Sequence, residues 1–200
     1  MKRAFDAALA GAGLVLSAPL WLLFSAAIKL EDGGPVFYTQ ERVGRGGRIF
    51  TALKFRSMRP DAEAGLGAVQ AVEDDPRVTR IGRVMRTTAM DELPQLWNIL
   101  RGDMSFVGPR ALRPGEADGG EGGTVVAMDR IPGYAARIAV RPGLTGIAQI
   151  YARRDVPRRQ KFRYDRLYVR RQSMTLDLRL ILLSFWISFR GTWELRGRKY

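Results

Sequence analysis

The sequence predicts an α+β fold: a small, mainly helical domain with a short β-hairpin, attached to a membrane by a kinked, re-entrant N-terminal helix and by interfacial amphipathic helices. Three observations lead to this prediction. The run Ala7 to Ile28 carries no charge, residues 33–59 alternate as two strands around a Gly-rich turn, and Leu180 to Phe189 is a short apolar run. We expect residues 1–30 to form the membrane helix and residues 31–200 to form one folded domain.

The uncharged N-terminal run is long enough to enter a membrane. About 22 helical residues measure about 33 Å, compared with about 30 Å for the hydrocarbon core of a bilayer. Pro19 lies near the middle of the run, two positions after Ser17, and proline bends a helix. Basic residues, which favour the cytoplasmic side, flank the run at both ends. We therefore predict a helix bent at Ser17 and Pro19 that leaves the membrane on the side it entered. A straight span and a buried helix of a soluble fold remain alternatives.

The next elements follow from turn signals. Residues 33–59 predict a β-hairpin whose turn lies at Gly44 to Gly47. Residues 77–100 are expected to be helical in two pieces that break near Pro94. The Gly-containing acidic stretches 60–75 and 115–123 are expected to be loops.

Two segments near the C-terminal end have more than one interpretation. The stretch Arg153 to Arg171 mixes Arg and Lys with Tyr and Phe, which is typical of a solvated helix face, a membrane-surface patch or a nucleic-acid site. The run Leu180 to Phe189 is too short to span a bilayer. It is compatible with an interfacial helix and with a buried core helix.

The composition narrows the chemistry. The formal charge of +13 favours anionic partners, either nucleic acid, lipid head groups or phosphorylated substrates. The chain has no Cys and no His, which excludes disulfides and Ser-His or Cys-His nucleophile pairs and argues against zinc sites. A bound metal would therefore need oxygen ligands, as Mg²⁺ does. Asp, Glu, Lys and Tyr are the remaining acids and bases.

The densest group of chemically useful residues lies between Arg86 and Arg110. Asp91 and Glu92 are adjacent, so on a helix their carboxylates point in different directions and can serve different roles, such as attack and metal binding. The same pair is also typical of a helix N-terminus, where acids complement the helix dipole.

The string "FVGPR", which ends at Arg110, forms a turn that can present backbone N–H groups and a guanidinium to a phosphate. An ordinary Gly-Pro turn is the alternative. Lys54 and Arg56, in "LKFRSM", fit outward-facing residues of a strand.

Together these strings are much more specific than their parts. "TQERVGRGGRIFTALKFRSM", "TRIGRVMRTTAMDELPQLWNILRGDMSFVGPR" and "RPGLTGIAQI" occur in this order. They resemble the bacterial sugar transferase family, also called monotopic phosphoglycosyl transferases, in its compact form. The resemblance implies a Mg²⁺-dependent transfer of a sugar-1-phosphate from a UDP-sugar to polyprenyl (undecaprenyl) phosphate. The reaction would release UMP and start the assembly of a bacterial surface glycan such as an O-antigen or an exopolysaccharide.

The resemblance also implies roles for single residues. Asp91 takes the place of the nucleophile that carries a covalent phosphosugar, and Glu92 that of the magnesium ligand. The other matches are basic or polar positions around the substrates and the break of the re-entrant helix. They are Lys54, Arg86 and Arg110 for phosphate groups, Pro109 for the turn, Gln149 near the nucleotide or sugar, and Ser17 with Pro19 for the membrane kink.

The partners implied are a UDP-sugar, polyprenyl phosphate and membrane lipids, and no nucleic acid; whether the chain forms a homo-oligomer is left open. The family is placed at the bacterial inner membrane with residues 31–200 as a cytoplasmic catalytic domain. The alternative function is a non-catalytic membrane-associated module that binds anionic lipid or glycan-assembly enzymes. Its Asp91 would be dispensable.

Overall fold

The structure is a computed structural model that describes residues 1–62, 75–119, 125–153 and 156–190. It has an α+β fold with one N-terminal apolar helix and a short antiparallel hairpin, as the sequence predicts. The helices are α1 (Lys2–Asp32), α2 (Arg80–Thr87), α3 (Gln95–Arg101), α4 (Tyr134–Ile138), α5 (Ile147–Tyr151), α6 (Arg158–Arg171) and α7 (Met174–Phe189). The strands are β1 (Phe37–Val43), β2 (Ile49–Phe55), β3 (Ser105–Val107), β4 (Ala117–Gly119), β5 (Val125–Ala127) and β6 (Gly143–Thr145).

The predicted hairpin is confirmed. Strands β1 and β2 pair antiparallel from Phe37–Phe55 to Val43–Ile49, and a short 3₁₀ turn at Arg45–Gly47 joins them. Two glycines of this turn have positive φ (67° and 80°), a region that favours Gly. Alternate residues of β1 are half-buried and exposed, so one face of the hairpin is turned toward the rest of the protein.

Two sequence predictions for the loops had different outcomes. Most of the first loop, at 60–75, lies outside the described residues. The prediction of a simple loop at 115–123 is wrong in its first part, because β4 pairs antiparallel with β5. Each of these strands has three residues, which is too short for an alternating pattern to be recognised in a Gly-rich sequence.

The helical region before residue 101 breaks twice. Pro94 directly precedes α3, as predicted. A second break follows α2 at Ala89, whose φ of 57° and ψ of 21° are left-handed. The residues between the two breaks form a separate 3₁₀ turn, Met90–Glu92, and this turn carries both acidic candidates. No sequence pattern indicates the left-handed residue, because Ala is not a residue that usually adopts this conformation.

Helix α1 runs unbroken through Pro19 and is, within the described residues, the helix long and apolar enough to cross a membrane on length and composition. Both of its ends contact the rest of the protein. Near the start, Asp6 is buried and accepts hydrogen bonds from the Ser105 hydroxyl (2.9 Å) and the Phe106 amide (3.3 Å). Near the end, Phe24 and Ile28 pack in a core with Phe55 and Met85.

The main hydrophobic core surrounds the short parallel pair β3–β6. Its buried members come from α1, α3, α5, α6 and α7 and include Ala10, Ile99, Val107, Tyr168 and Leu180. The Tyr168 hydroxyl lies within hydrogen-bond distance of two acceptors, the Val107 carbonyl (2.9 Å) and the Asp177 carboxylate (2.8 Å), and its one proton can serve either of these polar groups within the core. The β3–β6 pair is therefore fixed from several sides, and the segment that follows β3 leaves it at a defined position.

Helix α7 combines features of both interpretations of its sequence. Its buried side contributes Leu180, Ile181 and Ile187 to the main core. Its other side exposes Leu182, Phe185, Trp186 and Phe189, with Phe185 64% exposed. In α6, Phe162, Asp165 and Tyr168 are buried. The remaining face is rich in exposed Arg.

Candidate active site

The two candidate carboxylates lie on the 3₁₀ turn between α2 and α3. Ala89 begins this turn in a left-handed conformation, which a non-glycine residue adopts at a cost of the order of 1 kcal/mol. The turn places Asp91 at 9% exposure and leaves Glu92 beside it, partly exposed. Pro94 directly precedes α3, so the turn lies between a strained residue and a proline.

Lys54 reaches this turn from the end of β2. Its ammonium forms an ion pair and hydrogen bond with Glu92 and lies 3.8 Å from Asp91 Oδ2. Arg110 approaches from the other side, with its Nη2 3.9 Å from Glu92 Oε1. Two basic side chains that are distant in the sequence therefore meet at the adjacent pair Asp91 and Glu92.

The two adjacent carboxyl groups have pKa values shifted in opposite directions. Burial raises the pKa of the Asp91 carboxyl to about 6; the ammonium of Lys54 opposes this shift, and the charge of Glu92 adds to it. Burial also acts on Glu92, but the charges of Lys54 and then Arg110 outweigh it and lower the pKa of Glu92 to about 2. Two carboxyl groups whose pKa values differ this much are suited to different roles. Glu92 suits the role of a permanent anion, and Asp91 suits that of the more basic, more nucleophilic group.

Arg110 stands on a loop whose backbone carbonyls are bound to the surrounding protein. The carbonyls of Arg110 and Ala111 accept hydrogen bonds from the side chains of Arg137 (2.5 Å) and Arg42 (3.0 Å). Backbone amides bind the Pro109 and Leu112 carbonyls, at 2.9 and 2.8 Å. This arrangement fixes the loop while the Arg110 side chain stays half exposed.

The inner face of the hairpin supplies a row of polar side chains beside this loop. Gln40 donates to the Tyr38 hydroxyl (3.0 Å) and accepts a hydrogen bond from Arg42. Burial, then the neighbouring charges of Arg110 and Arg113, lower the pKa of Arg42 to about 10. Cations held this close together favour an anionic ligand between them.

A single cavity of about 1210 Å³ contains these groups. Its lining includes the predicted Lys54, Arg86, Arg110 and Gln149, together with Asp91 and Glu92. Gln149 donates to the Gly108 carbonyl at 3.2 Å, so it contacts the Arg110 loop as well as the cavity. The positive charge of Arg86 acts on Asp91 and lowers its pKa, against the effect of burial.

Three predicted residues lie away from this centre. Pro109 is buried behind the turn, where its carbonyl accepts from the Gly143 amide, and lies outside the cavity lining. Ser17 lines the cavity from α1 and accepts a hydrogen bond from Trp21 Nε1 (3.1 Å). Pro19, two residues further on, is exposed on the same helix.

The donor set fits a magnesium ion held mainly by its substrate. Within the described residues no group of three or more His, Cys, Asp or Glu side chains is placed to hold a metal. Asp91 and Glu92 offer carboxylate oxygens at the base of the cavity. Mg²⁺ is commonly bound through one or two carboxylates, substrate phosphates and waters. Glu92, whose pKa is lowered to about 2, offers an ionised carboxylate beside Asp91.

Two residues of this site were missed from the sequence. Arg42 could have been found, because Tyr38, Gln40 and Arg42 occupy alternate positions of a strand and must share one face. Arg137 had no signal. Its importance comes from contacts with the Arg110 carbonyl, with Asp165 (3.2 Å) and with the ring of Phe162 (4.3 Å to its centroid).

Comparison with known proteins places this arrangement in a family. Residues 1–191 match the model of the bacterial sugar transferase family. The chain is 41% identical over 186 residues to the exopolysaccharide production protein PSS of Rhizobium leguminosarum bv. phaseoli, covering 90% of this chain and 91% of the relative. It is 44% identical over 186 residues to the UDP-glucose:undecaprenyl-phosphate glucose-1-phosphate transferase of Caulobacter vibrioides, covering 90% of this chain and 67% of the relative.

A third relative has a different sugar in its name. The putative undecaprenyl-phosphate N-acetylgalactosaminyl 1-phosphate transferase of Bacillus subtilis is 49% identical over 138 residues, covering 69% of this chain and 73% of the relative. The family match covers the N-terminal helix, the hairpin and the Asp91–Glu92 turn alike. The chain belongs to the bacterial sugar transferase family.

Proposed function

We propose that this chain transfers a sugar-1-phosphate from a UDP-sugar to polyprenyl phosphate, through a covalent phosphosugar on Asp91. The observation that carries the proposal is the pair of adjacent carboxyl groups with opposite pKa shifts, next to Lys54 and Arg110 in one large cavity. The relatives named as undecaprenyl-phosphate sugar-1-phosphate transferases support the same reaction.

The first half-reaction starts at the Asp91 carboxylate. One of its oxygens attacks the phosphorus that carries the sugar, an O–P bond forms, and the P–O bond to UMP breaks as UMP leaves with the electron pair. Lys54 lies 3.8 Å from the attacking group, where it can offset the charge of the approaching phosphate. Arg110 and Arg42 are placed to hold the diphosphate, since their guanidinium groups donate to phosphate oxygens.

The second half-reaction reverses the chemistry on the other substrate. A phosphate oxygen of the polyprenyl phosphate attacks the same phosphorus, and Asp91 leaves as a carboxylate. Splitting the transfer into two displacements lets one carboxylate serve both substrates. We propose that Glu92 and the substrate phosphates hold Mg²⁺. When bound, this ion would neutralise negative charge on the phosphates.

We also propose that residues 31–200 form a catalytic domain on the cytoplasmic face of the inner membrane and that residues 1–30 form a re-entrant membrane helix, and the contacts of α1 support the re-entrant helix. At the start of α1, Arg3 donates to the Ile99 and Leu100 carbonyls, each at 2.6 Å. At its end, Glu31 accepts from the amides of Arg80 and Ile81 at the start of α2. A straight crossing would put the two ends on opposite sides of a core about 30 Å thick. Ends bound to one folded body favour the same side.

The reaction is tested by separating its two halves. Purified protein in detergent or vesicles is mixed with Mg²⁺ and a panel of UDP-sugars that includes UDP-glucose and UDP-N-acetylgalactosamine. Without acceptor, we expect a burst of UMP that matches the amount of enzyme, and a phosphosugar adduct on the peptide that contains Asp91. Polyprenyl phosphate should then discharge the adduct.

Substitutions separate the roles of the two acids. Asp91→Asn should give neither burst nor adduct, and Glu92→Gln should need much more Mg²⁺ for the same rate. Asp129→Asn, at an exposed carboxylate away from the cavity, is the matched control and should behave as the unaltered protein. A burst that persists in Asp91→Asn would refute the nucleophile, and normal glycan assembly in cells carrying that variant would favour the non-catalytic module.

The topology has its own test. The chain has no Cys, so single Cys residues at the exposed positions Ala4 and Leu30 can be labelled with an impermeant reagent in sealed vesicles of known orientation. A re-entrant helix predicts that both label from the cytoplasmic side. A Cys at Leu22, in the exposed apolar middle of α1, should be protected. Labelling of Ala4 and Leu30 from opposite sides would establish a span.

A further inference from the structure

The cavity that holds Asp91 has an apolar half that the transfer chemistry does not use. On one side it is lined by Leu9, Gly13, Leu16 and Leu20 of α1, which share one face of that helix. On the other side it is lined by Ile181 and Phe185 of α7. We refer to this half, between α1 and α7, as the α1–α7 cleft.

The α1–α7 cleft opens through exposed apolar side chains. Leu16 on α1 is 81% exposed and Phe185 on α7 is 64% exposed, and both line the cavity. Leu22, on α1, and Trp186, on α7, are exposed on the same two helices. A large apolar opening in a rim of apolar side chains is unusual for a surface in water. It is expected where the opening faces a membrane.

The cleft is connected to the Arg110 loop by two successive hydrogen bonds. The hydroxyl of Ser184, on the lining face of α7, hydrogen-bonds to the hydroxyl of Thr145 on β6. The Thr145 carbonyl accepts from the Gly108 amide at 2.9 Å, two residues before Arg110. The position of α7 is therefore coupled to the loop that presents Arg110. This coupling fixes the position of the apolar half of the cavity relative to its cationic half.

The volume of the cavity leaves room for more than one substrate group. Pockets for a single small molecule are about 300–1,000 Å³, and this cavity measures about 1210 Å³. A nucleotide sugar is polar throughout and matches the half that contains Lys54, Arg42 and Arg110. Its uracil ring is its one flat, weakly polar surface and is too small to cover the apolar lining contributed by both α1 and α7.

We propose that the α1–α7 cleft binds the first isoprene units of the acceptor lipid, with the lipid phosphate at the Arg110 end. The inference rests on the proposed function, because it assigns a place to the hydrocarbon part of that acceptor. The lipid enters from the membrane between the two helices. Phe185 contacts the chain beyond its first isoprene unit and is a determinant of acceptor binding, whereas the UDP-sugar does not reach it.

The test compares two phenylalanines of α7. Phe185→Ala removes a side chain that lines the cavity, and Phe189→Ala removes one that is exposed on the same helix and lies outside the lining. Each variant loses one aromatic side chain that can contact a membrane. A difference between the two variants therefore reports binding in the cleft rather than general membrane affinity. The UMP burst without acceptor is measured first, and then the KM for a long polyprenyl phosphate and for isopentenyl phosphate.

We expect Phe185→Ala to keep the UMP burst and to raise the KM for the long polyprenyl phosphate about tenfold, as the loss of one apolar contact does in a hydrophobic pocket. Transfer to isopentenyl phosphate, whose single unit is too short to reach Phe185, should change little. Phe189→Ala should match the unaltered protein. Equal KM values for all three proteins, or equal losses in both variants, would overturn the cleft and leave the proposed reaction intact. If the unaltered protein gives no burst with any UDP-sugar, the proposed function fails and the inference with it.

Photolabelling gives a readout that is independent of turnover. A polyprenyl phosphate with a diazirine in its first isoprene units, in vesicles with the unaltered protein, should label peptides from α1 and α7. Excess unlabelled polyprenyl phosphate should block this labelling, and an equal concentration of phosphatidylglycerol should not. Labels confined to other segments, or equal displacement by phosphatidylglycerol, would show that the cleft is not an isoprenoid site.

Discussion

Two buried ion clusters flank the Arg110 loop, and they differ in what surrounds them. In the first, Asp91 and Glu92 face Lys54 and Arg110 in the open cavity. In the second, Asp165 faces Arg137, both side chains are 4% exposed, and the ring of Phe162 covers the guanidinium. Burial raises the pKa of both Asp91 and Asp165 to about 6. Both clusters line the same cavity, so the same shift occurs at two places in it.

A raised pKa therefore does not by itself identify a catalytic group. Asp165 and Arg137 form an ion pair between α6 and α4, and Arg137 also binds the Arg110 carbonyl, so this pair connects the two helices to the Arg110 loop. The Asp91 side chain is 13% exposed, compared with 4% for Asp165, and it lies beside a second carboxylate that binds Lys54 and faces Arg110. The neighbouring carboxylate and the surplus of charged groups, rather than the shift, distinguish the proposed nucleophile from Asp165.

The largest expected difference comes from the same substitution at the two acids. Asp91→Asn should lower transfer at least about 10⁴-fold, because it removes the proposed nucleophile. Asp165→Asn should lower transfer less than about tenfold, because it removes no group that the proposed chemistry uses. It should not lower the free energy of unfolding at pH 7 by more than about 1 kcal/mol, because a raised pKa makes the ionised carboxyl the less favourable form in the fold. UMP release and denaturant titrations on both variants decide this. Comparable losses of transfer in the two would erase the distinction.

The second-largest expected effect is a loss of kcat/KM when Arg137 no longer holds the Arg110 loop. Its Nη2 binds the Arg110 carbonyl at 2.5 Å, so Arg137→Lys should displace that loop and lower kcat/KM for the UDP-sugar about tenfold, mainly through KM. In an Arg110→Ala background the same change should cost less than about threefold, because coupled residues are not additive. Arg141→Lys is the control, since Arg141 also binds a backbone carbonyl, that of Gly102, away from the cavity. Additive losses in the double variant would mean that Arg137 does not work through Arg110.

A smaller effect is the pH dependence of stability. The pKa of Asp165 is raised on folding by burial, against the charges of Arg137 and Arg158. A group with a raised pKa stabilises the fold below its unfolded pKa of about 4, and this stabilisation is lost as the pH rises through about 6. Asp165→Asn should therefore flatten the fall in stability between about pH 4 and pH 6 by about 1–3 kcal/mol. Unfolding curves at several pH values measure this slope, and an unchanged slope would contradict the shift.

The smallest effect is at the strained residue before the turn that carries Asp91 and Glu92. Ala89→Gly relieves the left-handed conformation at φ 57° and should raise the free energy of unfolding by about 0.5–1 kcal/mol. Transfer should change by no more than a few fold, because Asp91 keeps its contacts with Lys54. A loss of stability in this variant, measured by denaturant unfolding, would mean that the turn is not strained in solution.

Much of the fold could be predicted from local patterns. The hairpin at residues 37–55, the break before α3 at Pro94 and the apolar helix α1 all follow from features within a few residues of one another. The pairing of β4 with β5 was missed, because three-residue strands have no readable period. The left-handed Ala89 was missed for a related reason: nothing in its neighbours requires that conformation.

The residues of the candidate site also divide into those that the sequence identifies and those that only the folded structure identifies. Asp91 and Glu92 could be chosen because their types, adjacency and surrounding string are specific, and Arg110 and Lys54 because the family resemblance points to them. Arg42 was within reach of a strand-alternation argument. Arg137 was not, because its role depends on contacts with Arg110, Phe162 and Asp165.

The sequence by itself determined the α+β class, the membrane-compatible helix, the absence of His and Cys chemistry and the identity of the two acids, since each depends on composition or on residues close in the chain. Tertiary structure alone decided that Lys54 and Arg110 meet at Glu92, that the pKa values of the two acids move apart, and that α1 and α7 enclose a cleft next to them. These properties depend on burial and on distances between residues remote in sequence. Coulomb interactions and desolvation are set by those distances and by access to water, which no local pattern encodes.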